Sequence, residues 1–171
     1  RVAVMLESDC CVVQDSERTN QLASTVAALG ELGVELDYQA RPEVDLEQAH
    51  LNYMMLLRSA TGSEYPADAY EAQRAHAARW DAGDRDYRAL AASGITLSHW
   101  QWAQHHRARE DDRLAWDAFF DDYDLLLCPT AASAAYPHDH HGERADRTIP
   151  VNGGQESTVD QLFWAGLSCG V

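Results

Sequence analysis

The densest group of side chains that could bind a metal ion is the run from Pro137 to His141, which reads Pro-His-Asp-His-His. Imidazole nitrogens and carboxylate oxygens are common ligands of zinc and other divalent ions. Neighbouring residues of one loop seldom converge on a single ion, because ligand sets usually come from separated chain segments. We therefore expect a solvated polar loop here, with no metal and no other cofactor.

Two further polar groups are candidates for chemistry. His106 and Glu110 are four residues apart, next to His105, a spacing that places side chains side by side on a helix. The second group is a set of acids on one helical face, where a glycosidase-like acid pair could occur: Asp117, Asp121 and Asp124. A surface helix needs such a charged face, so we interpret both groups as structural.

Nucleophiles and their activating bases are poorly represented. All 13 basic residues are arginines, and the sequence has neither a lysine nor a G-x-S-x-G or Gly-rich nucleotide-binding motif. Cys128 follows an apolar run, where a thiol is usually inert packing. We therefore assign no catalytic residue within this chain.

Composition excludes several classes of partner. The 28 acidic residues give a formal charge of −15, which repels nucleic acid and anionic membrane surfaces, and no apolar run is long enough to span a bilayer. The four cysteines are scattered without C-x-x-C spacing, so we expect reduced thiols and a cytoplasmic protein. A length of 171 residues predicts one compact unit, residues 1–171.

The elements that would position these residues form an α/β pattern. Residues 1–40 predict a parallel β-α-β unit, with strands at 2–6 and 34–38 and a helix capped by Asp15 or Ser16 that ends before Gly33. Residues 43–122 are predicted to be helical, in four segments: 46 to about 62, 67–80 after Pro66, 84–92, and a long helix from Ser98 to about 122.

Residues 123–171 predict a strand, a long loop and a helix. The apolar run 125–128 indicates a buried strand, and residues 129–157 show no periodicity, which is typical of a loop. Residues 158–168 are apolar on most of the helical surface, which favours a buried helix. Arg1 leads directly into a strand and the last ten residues are apolar, so we expect a segment cut from a longer chain.

Several motifs resemble, in order, the later half of amidase signature enzymes. The opening Arg-Val-Ala-Val at residues 1–4 and the Gly-Val-Glu-Leu at 33–36 are similar to a segment that follows the catalytic region of that family. The strongest string is Trp116-x-x-Phe119-Phe120-x-x-Tyr123-Asp124-x-Leu126-Leu127-x-Pro129. It is followed by Pro137-His138-Asp139 and by Phe163-Trp164-Ala165-Gly166-Leu167.

The resemblance implies an amidase that hydrolyses carboxylic amide bonds through a Ser-Ser-Lys triad. Neither the lysine nor the Gly/Ser-rich serine stretch occurs in this sequence, and both precede the matched segment in the family. The resemblance therefore implies a C-terminal-side fragment of an amidase domain. Such a fragment supplies scaffold and pocket wall, and we expect it to be inactive alone.

Four side chains are our candidates for contact with a small-molecule amide substrate: Tyr136, His138, Phe163 and Trp164. The first two lie in the loop that follows the buried strand, where α/β folds form their clefts. Phe163 and Trp164 place rings on adjacent faces of an apolar helix, so one could face a cavity, although both could equally be core. The alternative function is a non-enzymatic acidic binding or oligomerisation domain with a metal at the histidine loop. The sequence also leaves homodimer formation as an open question.

Overall fold

A computed structural model of the chain describes residues 1–11, 13–81 and 83–170, so the last residue of the apolar run 162–171 lies outside it. The fold is α/β, as predicted. Its helices are α1 (Ser16–Glu31), α2 (Leu46–Gly62), α3 (Ala67–Ala77), α4 (Tyr87–Ile95), α5 (His99–Asp122) and α6 (Leu162–Cys169). Its strands are β1 (Val2–Val4), β2 (Leu36–Asp37), β3 (Leu125–Leu127), β4 (Thr148–Val151) and β5 (Gly154–Ser157).

The chain divides into two compact units. Unit 1 comprises residues 1–44 and 113–168, and unit 2 comprises residues 45–112 with 169–171. Unit 1 contains both small sheets, whereas unit 2 is helical in its described part. The expectation that 1–171 acts as a single domain stays a prediction.

The β-α-β prediction for unit 1 is confirmed. Strand β1 lies between β2 and β3 and is parallel to both, with Val2 opposite Leu36 on one side and Leu125 on the other. The Asp15 carboxylate accepts a hydrogen bond of 2.8 Å from the backbone N–H of Arg18 and so caps α1. Gly33, with φ of +86°, follows the end of this helix in the left-handed region. Strand β2 is shorter than expected and covers two residues.

The prediction that the run 125–128 forms a buried strand is only partly right. A strand forms at Leu125–Leu127, but Leu125 is 56% exposed and the next two residues are half-buried. Strand β3 pairs with β1 alone among the described strands, which leaves its other edge uncovered by them. The position of β3 at the edge of the described sheet explains why its apolar side chains are not fully buried.

The prediction that residues 129–157 contain no regular structure is wrong. Strands β4 and β5 form an antiparallel hairpin around Asn152 and Gly153, whose φ angles of 51° and 79° match a type I′ turn. Ile149 and Val151 alternate with exposed residues and are buried. The Asn-Gly pair between short strands is the sequence signal that points to this hairpin.

Helix α6 begins at Leu162, four residues later than predicted, because residues Thr158–Gln161 form a 3₁₀ turn. Phe163, Trp164 and Gly166 are buried, but the last two residues of the helix are exposed, so the predicted burial is only partly right. Across the described part of the chain, none of the helices combines the length and apolar character needed to cross a membrane.

The helices of unit 2 begin close to the predicted positions because their caps are local. Asp45 caps α2 by accepting from two backbone N–H groups, and Ser98 precedes α5 and exchanges hydrogen bonds with Gln101. Helix α4 begins and ends three residues later than predicted and includes Gly94. A Cβ at Gly94 would lie 2.6 Å from the Cβ of Arg58, so this glycine permits close packing of α4 on α2.

Candidate functional site

The carboxyl edge of the parallel sheet in unit 1 is where the loops after β1 and β3 meet. The backbone N–H of Asp15 donates to the carbonyl of Ala132 at 2.7 Å. The Arg18 guanidinium donates to the Thr130 hydroxyl at 2.9 Å. In α/β folds this edge is the usual position of a ligand site, because loops from adjacent strands converge there.

Gln14 connects three segments at this edge. Its amide nitrogen donates to the carbonyl of Leu6 at 2.6 Å and to the Thr19 hydroxyl at 2.7 Å. Its amide oxygen accepts from the indole N–H of Trp164 at 3.0 Å. Both N–H groups of the side chain and its oxygen are thus engaged within the protein, so Gln14 acts as a structural link between the loop, α1 and α6.

The turn of the β4–β5 hairpin also contacts this edge. The side chain of Asn152 donates to the carbonyl of Gln14 at 2.9 Å and accepts from the backbone N–H of Ser16 at 2.9 Å. The second bond satisfies one of the free N–H groups at the start of α1. The hairpin is therefore fixed to the first turn of α1 by side-chain hydrogen bonds.

Two cysteines lie near this edge. Cys11 is buried, Cys128 is half-buried, and burial raises the pKa of both thiols. A raised pKa keeps a thiol protonated at neutral pH, and the thiol is a poor nucleophile. Neither group has the environment of an activated cysteine.

A cavity of about 430 Å³ lies beside the histidine loop in unit 1. Tyr136 and His138 line it, and its other lining residues are Ala135, Pro137, Asp139, His140, Arg144, Arg147, Thr148, Ile149 and Thr158. Its volume lies within the range of small-molecule sites. The structure thus brings two of the four predicted substrate contacts to one cavity.

Phe163 and Trp164 do not line this cavity. Their rings contact each other edge to face with centroids 5.0 Å apart, and both side chains are buried in unit 1. This is the arrangement expected of core residues. Their position near a substrate stays a prediction.

Hydrogen bonds within the loop fix two charged lining residues. Arg147 donates to the carbonyls of His141 and Gly142 at 3.1 and 2.9 Å. Asp139 accepts from the backbone N–H of His141 at 2.9 Å, and its carboxylate lies 3.0 Å from the imidazole Nδ1 of the same residue. These hydrogen bonds, with a smaller contribution from Arg147, hold the pKa of Asp139 below its usual value. Asp139 is therefore ionised at neutral pH.

The polar groups of α5 take structural positions. In unit 2 the ring nitrogen Nδ1 of His105 lies 2.9 Å from the amide oxygen of buried Asn52, and burial lowers the pKa of His105. His106 stacks on Trp102, with ring centroids 4.9 Å apart. In unit 1 Asp117 forms an ion pair of 2.7 Å with Arg113. No group of three or more potential metal ligands clusters within residues 1–11, 13–81 and 83–170.

The comparisons with known proteins identify a fold relationship. No protein family profile matches this chain, and no curated protein matches it in sequence. The chain is similar to the crystal structure of a bacterial aryl acylamidase belonging to the amidase signature enzymes. The TM-score is 0.55 at 15% sequence identity, over 96% of this chain and 34% of that one. This chain therefore spans about a third of the length of the acylamidase and shares the fold of that part.

Proposed function

We propose that this chain is part of an amidase signature hydrolase, in which it supplies scaffold and substrate-pocket wall. The observation that supports the proposal is the fold similarity to an aryl acylamidase over 96% of the chain. The motifs at residues 1–4, 116–129 and 163–167, which resemble the same family, point in the same direction. The substrate is a small-molecule carboxylic amide.

The chemistry of acyl transfer comes from outside this chain. The Ser-Ser-Lys mechanism needs an unprotonated lysine to relay a proton through a bridging serine, and backbone N–H groups to bind the oxyanion. This sequence has no lysine, so it lacks the base of that triad. Its own contribution is to hold a pocket wall in place, since geometry at the reacting atoms depends on rigid supporting residues.

Two groups of residues perform this task in the proposal. Gln14 and Asn152 tie the loop after β1 to α1, α6 and the hairpin. Tyr136 and His138 line the cavity beside the histidine loop. Phe163 and Trp164 support the wall from the core side.

The experiment compares this chain with the full-length protein that carries it. We expect the full-length protein to hydrolyse an aryl amide such as 4-nitroacetanilide and the 171-residue chain to show no turnover. Turnover by the chain alone, abolished by a single Ser→Ala change within it, contradicts the proposal. Failure of the full-length protein to cleave any amide favours the acidic binding domain instead.

Pocket assignments are tested residue by residue in the full-length protein. His138→Ala is expected to lower kcat/KM for the aryl amide by about tenfold, the size of one lost substrate contact. His76→Ala, in unit 2 and outside the cavity, is the matched control with no expected change.

A second variant tests Trp164. If Trp164→Leu lowers thermal stability and leaves the relative kcat/KM for small and bulky acyl amides unchanged, Trp164 is core only.

A further inference from the structure

The charge of the cavity beside the histidine loop differs from that of the chain. The whole chain carries a formal charge of −15. The cavity lining nevertheless contains two arginines, Arg144 and Arg147, and a single carboxylate, Asp139. The two other acids of this segment, Glu143 and Asp146, are absent from the lining. An acidic protein thus presents a locally basic concave surface.

The single carboxylate of the lining is held in place by neighbouring groups of the loop. Asp139 accepts a hydrogen bond from the backbone of His141, and its carboxylate lies 3.0 Å from the ring nitrogen Nδ1 of that residue. These interactions lie within the loop. Asp139 carries one negative charge, so it can balance at most one of the two guanidinium groups.

At least one of the two guanidinium charges is available to another partner. Arg147 uses its Nε and one Nη to donate to backbone carbonyls, which are neutral acceptors, and its charge also helps to lower the pKa of Asp139. Arg144 is exposed, and its side chain forms no ion pair with any residue in the described part of the chain. A guanidinium presents donors in a planar fork that matches the two oxygens of a carboxylate.

The rest of the lining suits the body of a small organic molecule. Ile149 is buried and Pro137 is apolar, so the two offer non-polar contact. Tyr136 and His138, which also line the cavity, are residues that can form hydrogen bonds. Ligand sites commonly combine an apolar lining with a few placed polar groups, and a volume of about 430 Å³ is sufficient for a one-ring molecule.

We propose that this cavity binds a small carboxylate-bearing molecule, with Arg144 and Arg147 as the charge partners of the carboxylate and Ile149 and Pro137 in contact with its apolar part. This deepens the proposed function, on which it rests for the identity of the ligand, because it makes the amide substrate an anion. Residues outside the triad thereby select the substrate.

The direct test uses benzoate and its neutral analogue benzamide as probes on the full-length protein, with binding measured by calorimetry. We expect benzoate to bind and benzamide to bind at least about tenfold more weakly, since the charge-assisted hydrogen bonds are lost. Arg144→Gln is expected to weaken benzoate binding about tenfold. The Arg144 side chain is exposed, so this variant retains the fold. Arg74→Gln removes an exposed arginine of unit 2 that pairs with Glu71, and it is the matched control with no expected effect.

A parallel measurement compares hydrolysis of 4-acetamidobenzoate with that of acetanilide. Equal binding of benzoate and benzamide, or an Arg144→Gln variant that binds benzoate normally, overturns the carboxylate site. Hydrolysis of acetanilide without preference for the carboxylate form also overturns it, while the proposed amidase function stands. Benzoate binding that Arg144→Gln weakens, with no anilide hydrolysed at all, supports the carboxylate site and overturns the proposed function.

Discussion

Unit 1 joins residues that are far apart in the sequence, whereas unit 2 joins helices that lie closer together along the chain. In unit 1, β1 pairs with β3 and the side chain of Gln14 bonds that of Trp164. In unit 2, Arg58 of α2 donates to the Tyr87 hydroxyl at 2.7 Å, and Gly94 of α4 packs against the same turn of α2. The stability of unit 1 therefore depends on a few long-range links, and that of unit 2 on helix packing.

The largest loss of stability is expected when the buried ring of Trp164 is removed from unit 1. Trp164→Ala should lower the free energy of unfolding by about 3–5 kcal/mol, because it leaves a cavity and an unpaired Gln14 oxygen. Trp164 is 2% exposed. Urea unfolding followed by circular dichroism measures the change.

The control for that prediction is Trp100→Ala, since Trp100 is 70% exposed. It should change the free energy of unfolding by less than about 0.5 kcal/mol. Equal losses for the two variants would contradict the assignment of Trp164 to the core.

A smaller loss is expected from a methyl group added in unit 2. In Gly94→Ala the new Cβ would lie 2.6 Å from the Cβ of Arg58 and 3.1 Å from the carbonyl oxygen of Met55. Overpacking of this kind costs about 1–3 kcal/mol, which exceeds the gain of about 1 kcal/mol that alanine gives within a helix. Gly83→Ala in the same unit is the control, because a Cβ there meets nothing within 4 Å. A stabilised Gly94→Ala variant would show that α2 and α4 pack less closely.

The turn of the β4–β5 hairpin is expected to contribute to the stability of unit 1. Asn152→Ala should cost about 1–2 kcal/mol, since alanine tolerates the φ of 51° poorly and cannot bond Ser16 or Gln14. Asn152→Gly keeps the turn and loses only the side-chain bonds, so its loss should be smaller. Equal unfolding midpoints for the two variants would indicate that the backbone conformation contributes nothing.

The smallest expected effect is the change in the stability of unit 2 with pH. Burial lowers the pKa of His50 and His105 below the usual histidine value of 6.5, so each binds a proton more readily in the unfolded state. Stability is then complete above about pH 6.5 and falls as the pH drops toward the folded-state pKa. Hydrogen exchange of α2 amides between pH 7.5 and 5.5, corrected for intrinsic rates, reports the loss. His105→Gln should flatten this dependence, and an unchanged slope would contradict the contribution of His105.

Sequence patterns correctly predicted the features that depend on interactions between residues a few positions apart. Asp15 and Ser98 identify the starts of α1 and α5 because a cap bonds backbone groups of the next turn. The exposure of Leu125 depends on what lies beside β3, which its own neighbours in sequence do not encode. Strand β4 has four residues, too few for alternation to stand out, so the Asn-Gly turn was the better signal.

The sequence predicted which kinds of residues form part of the candidate site better than it predicted where they lie in the fold. Tyr136 and His138 could be placed in a loop after a strand, and the structure brings them to a cavity. The positions of Arg144 and Arg147 beside the cavity could not be predicted from the sequence, because they depend on a 3₁₀ turn and on how the loop folds back on it. Gln14 was likewise missed, since an isolated glutamine has no sequence signal for a three-way link.

The position of β1 between two strands has a consequence during synthesis on the ribosome. Leu36, one partner of Val2, is made 34 residues after it, but the other partner Leu125 is made 123 residues after it, following all of α2 to α5. At a translation rate of about 5–20 residues per second, one edge of β1 waits about 6–25 s for β3. During that interval an apolar strand with unpaired backbone groups is open to chaperones and to other nascent chains.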